Sequence, residues 1–178
     1  LNTIDDVGVD VLVEALANSN LRVLHLSRNR NITVRGCKSL AALLENPISN
    51  LDALYLCGNN VGNEGALIFA NALARNRKLK ILYLSNNGIT AEGWSSFSKV
   101  LCDTSSVNKT HLSNHTLESL GHMPSIHSSL PADVNALLDL NRSKEDKKQV
   151  SIKKILKHHQ HFDMHPFFEL DLKVLPLV

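Results

Sequence analysis

The densest group of chemically active side chains is "HHQHFDMH", which sets His158, His161 and His165 at i, i+3 and i+7. On a continuing helix those imidazoles would share one face and could ligate zinc or copper. Pro166 follows directly and ends the helix nearby, and histidine near a helix C-terminus is favoured by the dipole alone. The expectation is no metal site and no cofactor. Just upstream, Arg142 to Lys157 carries seven Lys/Arg against Glu145 and Asp146, a run able to hold anionic lipid or RNA. It lacks interleaved aromatics, so a solvated helix face is the simpler expectation. Cys37, Cys57 and Cys102 are too far apart for a CxxC pair and too odd in number for a closed disulfide set. The sequence has no glycine-rich phosphate loop, no nucleophile elbow and no HExxH, so the chain is expected not to be an enzyme.

Composition narrows the partners further. Of 178 residues, 43% are apolar but only 4% aromatic, so the core must be built from leucine, isoleucine, valine and alanine. A net charge of +2 is too small to imply a polyanion partner for the whole molecule, and no nucleic acid is expected. No apolar run approaches the roughly 20 residues that span a bilayer, and no signal-peptide pattern opens the chain. Four N-x-S/T sequons, at Asn31, Asn108, Asn114 and Asn141, stand against unpaired thiols. The thiols suit a reducing compartment, and a cytoplasmic location is expected.

The elements that position these groups follow from internal repetition. "LKILYLSNNGITAEG" (79–93) aligns with "LDALYLCGNNVGNEG" (51–65), with "LRVLHLSRNRNITVRG" (21–36) and with a degraded "VNKTHLSNHTLESLG" (107–121). The starts at 21, 51, 79 and 107 are 30, 28 and 28 residues apart. After each copy a helical pattern hangs on the glycine: Gly36, Leu40 and Leu44; Gly65, Phe69 and Leu73; Gly93, Phe97 and Leu101. Ile4, Gly8, Leu12 and Leu16 fit the same half. LxL alternation points two leucines inward, a helix covers them, and a single unit cannot bury its own apolar face. Such units stack, giving a parallel sheet on the inner wall.

This pattern resembles the leucine-rich repeat in its 28-residue, ribonuclease-inhibitor-like form, over residues 1 to about 121. The resemblance implies a right-handed α/β solenoid, with strands near 21–27, 51–57, 79–85 and 107–112. Helices are expected near 8–17, 36–45, 65–75 and 93–102. Asn29, Asn59 and Asn87 fall at one register where the chain leaves the strand, and an amide there can satisfy turn N–H and C=O groups and form a ladder. In the fourth copy His115 stands where the asparagine belongs and Asn114 is one place early, a sign that the array is ending. Because the first unit starts in a helical half without a strand or polar cap, further repeats are expected upstream, making this the C-terminal part of a longer repeat protein.

Residue 5 of each unit must point away from the helices. Those residues are His25, Tyr55, Tyr83 and His111, and strands about 4.8 Å apart would set them in a ring stripe roughly 15 Å long. Tyrosine buries much area at low entropic cost, which suits an interface. Arg22, Arg28, Lys80 and Lys109 outnumber Asp52 beside the stripe, so an acidic protein partner is expected. The expected binding residues are His25, Arg28, Tyr55, Lys80, Tyr83 and His111. The alternatives are activation of a small GTPase, implied by one branch of the family, and a lipid- or RNA-binding adaptor working through helix 142–157.

Residues 122–178 change character and are expected to form a helical C-terminal cap or extension. One helix begins after Ser129 to Asp133. A charged amphipathic one follows, with Ser143 and Asp146 as its capping pair, Ile152, Ile155, Leu156 and His159 on one face and Lys147, Lys153, Lys154 and Lys157 on the rest. "HPFFELDLKVLPLV" holds Phe167, Phe168, Leu170, Leu172 and Val174, dense enough to need burial. This tail is similar to C-terminal extensions of leucine-rich repeat families in unicellular algae, a resemblance that implies no activity.

Overall fold

The computed structural model describes residues 3–121 and 130–161. In chain order the elements are α1 (Asp6–Leu16), β1 (Val23–His25), α2 (Val34–Glu45), β2 (Ala53–Tyr55), α3 (Gly62–Leu73) and β3 (Ile81–Tyr83). Then come α4 (Ala91–Leu101), α5 (Val107–His111), β4 (Ser119–Leu120), α6 (Ala132–Arg142) and α7 (Lys147–His158). The strands form one parallel sheet in the order β1-β2-β3-β4. Leu24, Leu54 and Leu82 stand in register, with Leu120 next along the row.

The uneven leucine spacing is explained by burial. Leu54, Leu56, Leu79, Leu82 and Leu84 have no exposed surface, and Phe69 and Phe97 close over them from α3 and α4. Each such side chain contributes roughly 1.5–3 kcal/mol through burial. The helices lie on one side of the sheet, α1 on α2, α2 on α3, α3 on α4 and α4 on α6. Close approach is enforced at the repeat glycines: a Cβ on Gly93 would lie 2.5 Å from Asn63 Oδ1 and 2.8 Å from Ile89 Cγ2. Those glycines lie inside the first helical turn, so α2, α3 and α4 begin two or three residues ahead of the expected starts. Asp5 and Thr33 cap α1 and α2 by accepting from Gly8 N and Arg35 N.

The fourth unit departs from the expected register. Residues 107–111 are helix α5, not a strand, and the fourth strand is Ser119–Leu120. Leu117 occupies the place of Leu79, 38 residues on rather than 28, and α5 sits in the added length. The tail forms two helices, α6 and α7, as expected. Between α6 and α7 the chain breaks at Ser143, and the cap of α7 is Asp146 alone, accepting from Gln149 N at 2.9 Å. Ser143 Oγ is buried without a hydrogen-bond partner among the described residues.

Candidate binding surface

The sheet face opposite the helices carries the ring stripe. His25 and Tyr55 stack with centroids 4.1 Å apart and planes 6° apart, and Tyr55 meets Tyr83 edge-on at 5.1 Å. Both arrangements are favourable for aromatic quadrupoles. His25 is exposed and the tyrosines half-exposed. The stripe stops there: Gly121, with φ +97°, follows Leu120 where a fourth ring was expected. His111 belongs instead to α5, and its Nδ1 pairs with Ser151 Oγ of α7 at 2.9 Å. Sequence alignment at a constant 28-residue step misplaced it.

Charges at the leading edge of the strands alternate. Arg22, Asp52, Lys80 and Glu118 follow one another, linked by Asp52 N to Arg22 O, Lys80 N to Asp52 O and Glu118 N to Lys80 O, each 2.8 Å. Arg22 is ion-paired to Asp52, and Glu118 lies 3.5 Å from Lys147. Lys109, expected beside the stripe, sits on α5. Arg28 occupies the turn after β1 with a left-handed φ of 63°.

Behind the strands the expected asparagines are fully bonded. Asn59 Oδ1 accepts from Asn29 N at 2.6 Å, and its Nδ2 donates to Leu26 O and Leu56 O, both at 2.9 Å. Asn87 repeats the arrangement one unit on, accepting from Asn59 N at 3.1 Å and donating to Leu56 O and Leu84 O. Asn29 accepts from Ile4 N at 3.0 Å. No charged group takes part in these bonds.

A second asparagine series, not anticipated from sequence, lies where each helix hands over to the next strand. Asn46 donates to Ala17 O, Asn76 to Leu44 O and Asn114 to Leu73 O, at 3.0, 2.8 and 2.8 Å. Asn76 Oδ1 also accepts from Leu79 N, and Asn114 Oδ1 from Leu117 N. The signal was available as N-x-x-L-x-x-L in "NRKLKIL" and "NHTLESL". At the next step, Leu101 O at the end of α4, the donor is Lys154 Nζ of α7, at 2.7 Å. Lys154 has no exposed surface and also donates to Asn141 Oδ1 at 2.7 Å, with His115 Nδ1 at 3.2 Å. Burial first of all lowers its pKa to about 8. Helical periodicity alone puts Lys154 on the solvated side of α7. It is the end rung of the series.

This changes the standing of the basic run. Arg142 pairs with Asp139, Lys147 with Glu118 and Lys153 with Glu145, while Lys154 is internal. Of the seven cations, Lys144, Lys148 and Lys157 form no ion pair among the described residues. The expected apolar face is also displaced: Val150, Ser151 and Lys154 are buried, and Leu156 is 59% exposed. Helix α7 ends at His158, so His158 and His161 share no helical face, and His165 lies outside the described residues with Phe167, Phe168, Leu170, Leu172 and Val174. No three His, Cys, Asp or Glu among the described residues are placed to hold a metal. The three cysteines are free, and burial pushes the Cys37 thiol up to about 12. Two sequon asparagines, Asn114 and Asn141, are wholly buried. No helix among the described residues is long and apolar enough to cross a membrane.

Repeated LxxLxL strands in a parallel sheet, backed by one row of helices and laced by asparagines, define a leucine-rich-repeat solenoid. The sequence model of the leucine-rich repeat matches residues 17–41 and 75–98 of this chain. Among solved structures, the chain is similar to that described as leiomodin-1 actin-binding site 2, with a TM-score of 0.60 and 19% identity. That alignment covers 89% of this chain and 82% of the other, and it is a likeness of fold. A search of curated proteins returns no match.

Proposed function

We propose that this protein is a non-enzymatic protein-interaction module that holds its partner on the open face of the sheet, around His25, Tyr55 and Tyr83. The observation that carries this reading is the stacked ring row itself, solvent-accessible on the sheet face that no helix among the described residues covers. Arg28 and Lys80 flank it, and Lys80 forms no ion pair among the described residues, which favours an acidic partner surface. Residues 1–121 act as the binding array in this reading, with 122–178 as the extension that closes it. The 28-residue spacing of the second and third units supports the ribonuclease-inhibitor-like subclass. Free thiols support folding in a reducing, cytoplasmic setting.

The test is a double substitution, Tyr55→Ala with Tyr83→Ala, against a partner captured from native extract. Actin is the first defined probe, because the similar solved structure is described as an actin-binding site. Removing a hot spot typically costs at least about 2 kcal/mol, roughly thirtyfold in affinity. A variant that melts normally and binds as tightly as the parent would rule out the open face.

A further inference from the structure

The contact between α7 and the end of the array runs through three imidazoles. His111 Nδ1 meets Ser151 Oγ at 2.9 Å, His159 Nε2 meets Thr110 Oγ1 at 2.8 Å, and His115 Nδ1 meets Lys154 Nζ at 3.2 Å. They do not respond alike to a proton. The Thr110 hydroxyl donates to Asp103 O at 2.8 Å. It therefore accepts from the N–H of His159, and that bond survives in either charge state. His115 has both nitrogens committed in the neutral form. Its Nε2–H donates to His111 O at 3.0 Å, so Nδ1 must be the lone pair that accepts from the Lys154 ammonium.

The surroundings offer no relief for a second charge. The ionisable groups facing His115 are Lys154 from α7, Arg77 from the turn after α3 and His111 from α5, all basic. Lys154 is faced by Cys102 from α4 and by Lys147 from its own helix. His115 is 7% exposed and Lys154 wholly buried, so water screens neither.

We propose that His115 is an acid-sensitive catch, and that its protonation releases α7 from the end of the solenoid. A proton on Nδ1 removes the acceptor and sets two cations face to face. Swinging α7 out is the movement that returns the Lys154 ammonium to water. Leu101 O, the acceptor at which the asparagine series would otherwise continue, is then uncovered together with Asn141 Oδ1. The released form thus presents a polar edge with the chemistry of an uncapped repeat. Burial first, and then the charge on Lys154, holds His115 down to about 4, so the catch stays shut near neutrality.

The test is amide hydrogen exchange on the full chain from pH 7 to pH 3.5, corrected for the intrinsic pH dependence, comparing residues 147–158 with α2 and α3. Protection of α7 should fall by up to about tenfold per pH unit as pH drops from about 6.5 to about 4 and level off below that, while α2 and α3 stay protected. His115→Gln supplies a neutral acceptor and donor at the same place, and should keep α7 protected across the range. Three outcomes overturn the proposal: α7 stays closed throughout in the parent, α7 opens together with α2 and α3, or the Gln variant opens at the parent's midpoint. Should that variant not fold, the parent's own His115 ring titration by NMR decides. A midpoint more than about one pH unit from that of α7 release also overturns it.

Discussion

The C-terminal ends of α1, α2 and α3 and the end of α4 present the same need, an unpaired carbonyl, and meet it with two chemistries. Inside the array the donor is an amide: Asn46 to Ala17 O, Asn76 to Leu44 O, Asn114 to Leu73 O. At the close it is the Lys154 ammonium to Leu101 O. An amide brings its own acceptor, which collects the N–H groups of the next strand, so the pattern can be handed on. An ammonium has donors only. It satisfies the last carbonyl and offers nothing to a further strand, and in return it needs neutral acceptors around it. A neutral repeating element is thus indifferent to pH, while its terminator is not.

Four changes bear on that contrast. The largest effect is expected inside the array. Asn59→Ala removes three buried hydrogen bonds at once: it orphans Asn29 N, at about 1–3 kcal/mol, and leaves Leu26 O and Leu56 O with one side-chain donor each, Asn29 and Asn87, at about 1 kcal/mol per lost bond. Loss of several kcal/mol in urea unfolding, unchanged between pH 5 and 8, is the expected result, and a loss under about 1 kcal/mol would show the row to be dispensable. Next comes acid. The His115 pKa is lowered from 6.5 to about 4, so the unfolded chain takes up the proton first. Stability is full above about 6.5 and declines by on the order of 3 kcal/mol as pH falls through 4. Denaturant melts of the parent and of His115→Gln should diverge across that window.

Lys154→Met should have a smaller effect, about 1–2 kcal/mol. It orphans Leu101 O and Asn141 Oδ1 but removes a desolvated charge and keeps the apolar stem packed. Its pH signature lies on the alkaline side. The folded pKa of Lys154 is about 8 against 10.5, so the parent gains stability as pH rises between those values, and the Met variant should not. Smallest of all on stability is the open-face pair. Tyr55→Ala with Tyr83→Ala forfeits two cross-strand ring contacts worth roughly 0.2–1 kcal/mol each. A thermal melt showing a larger loss would mean that the rings serve folding rather than contact.

The helices other than α5, the first three strands and the asparagines at 29, 59 and 87 are legible because burial imposes them at a fixed period. Leucines at LxxLxL cannot be moved without exposing them. What failed was the assumption that the period persists. Nothing in composition alone says that ten residues are added before Leu117, and the valine, threonine and histidine of α5 mimic a weak strand. Lys154 was misread for a related reason. Helical periodicity gives which residues share a face, and lysine normally belongs on the wet one. Only the array's unpaired last carbonyl turns that face inward. Asn114 and Asn141, read as sequons, are by the same logic interior parts.

The alternating row Arg22, Asp52, Lys80, Glu118 has a further consequence. The backbone repeats once per strand, but the sign of the charge repeats once per two strands. A charged chain laid along this wall and shifted by one strand, about 4.8 Å, meets the opposite sign at every step. Shifted by two, it is back in phase. The charges thus lay a period of two strands, about 9.6 Å, on a wall whose backbone repeats with every one.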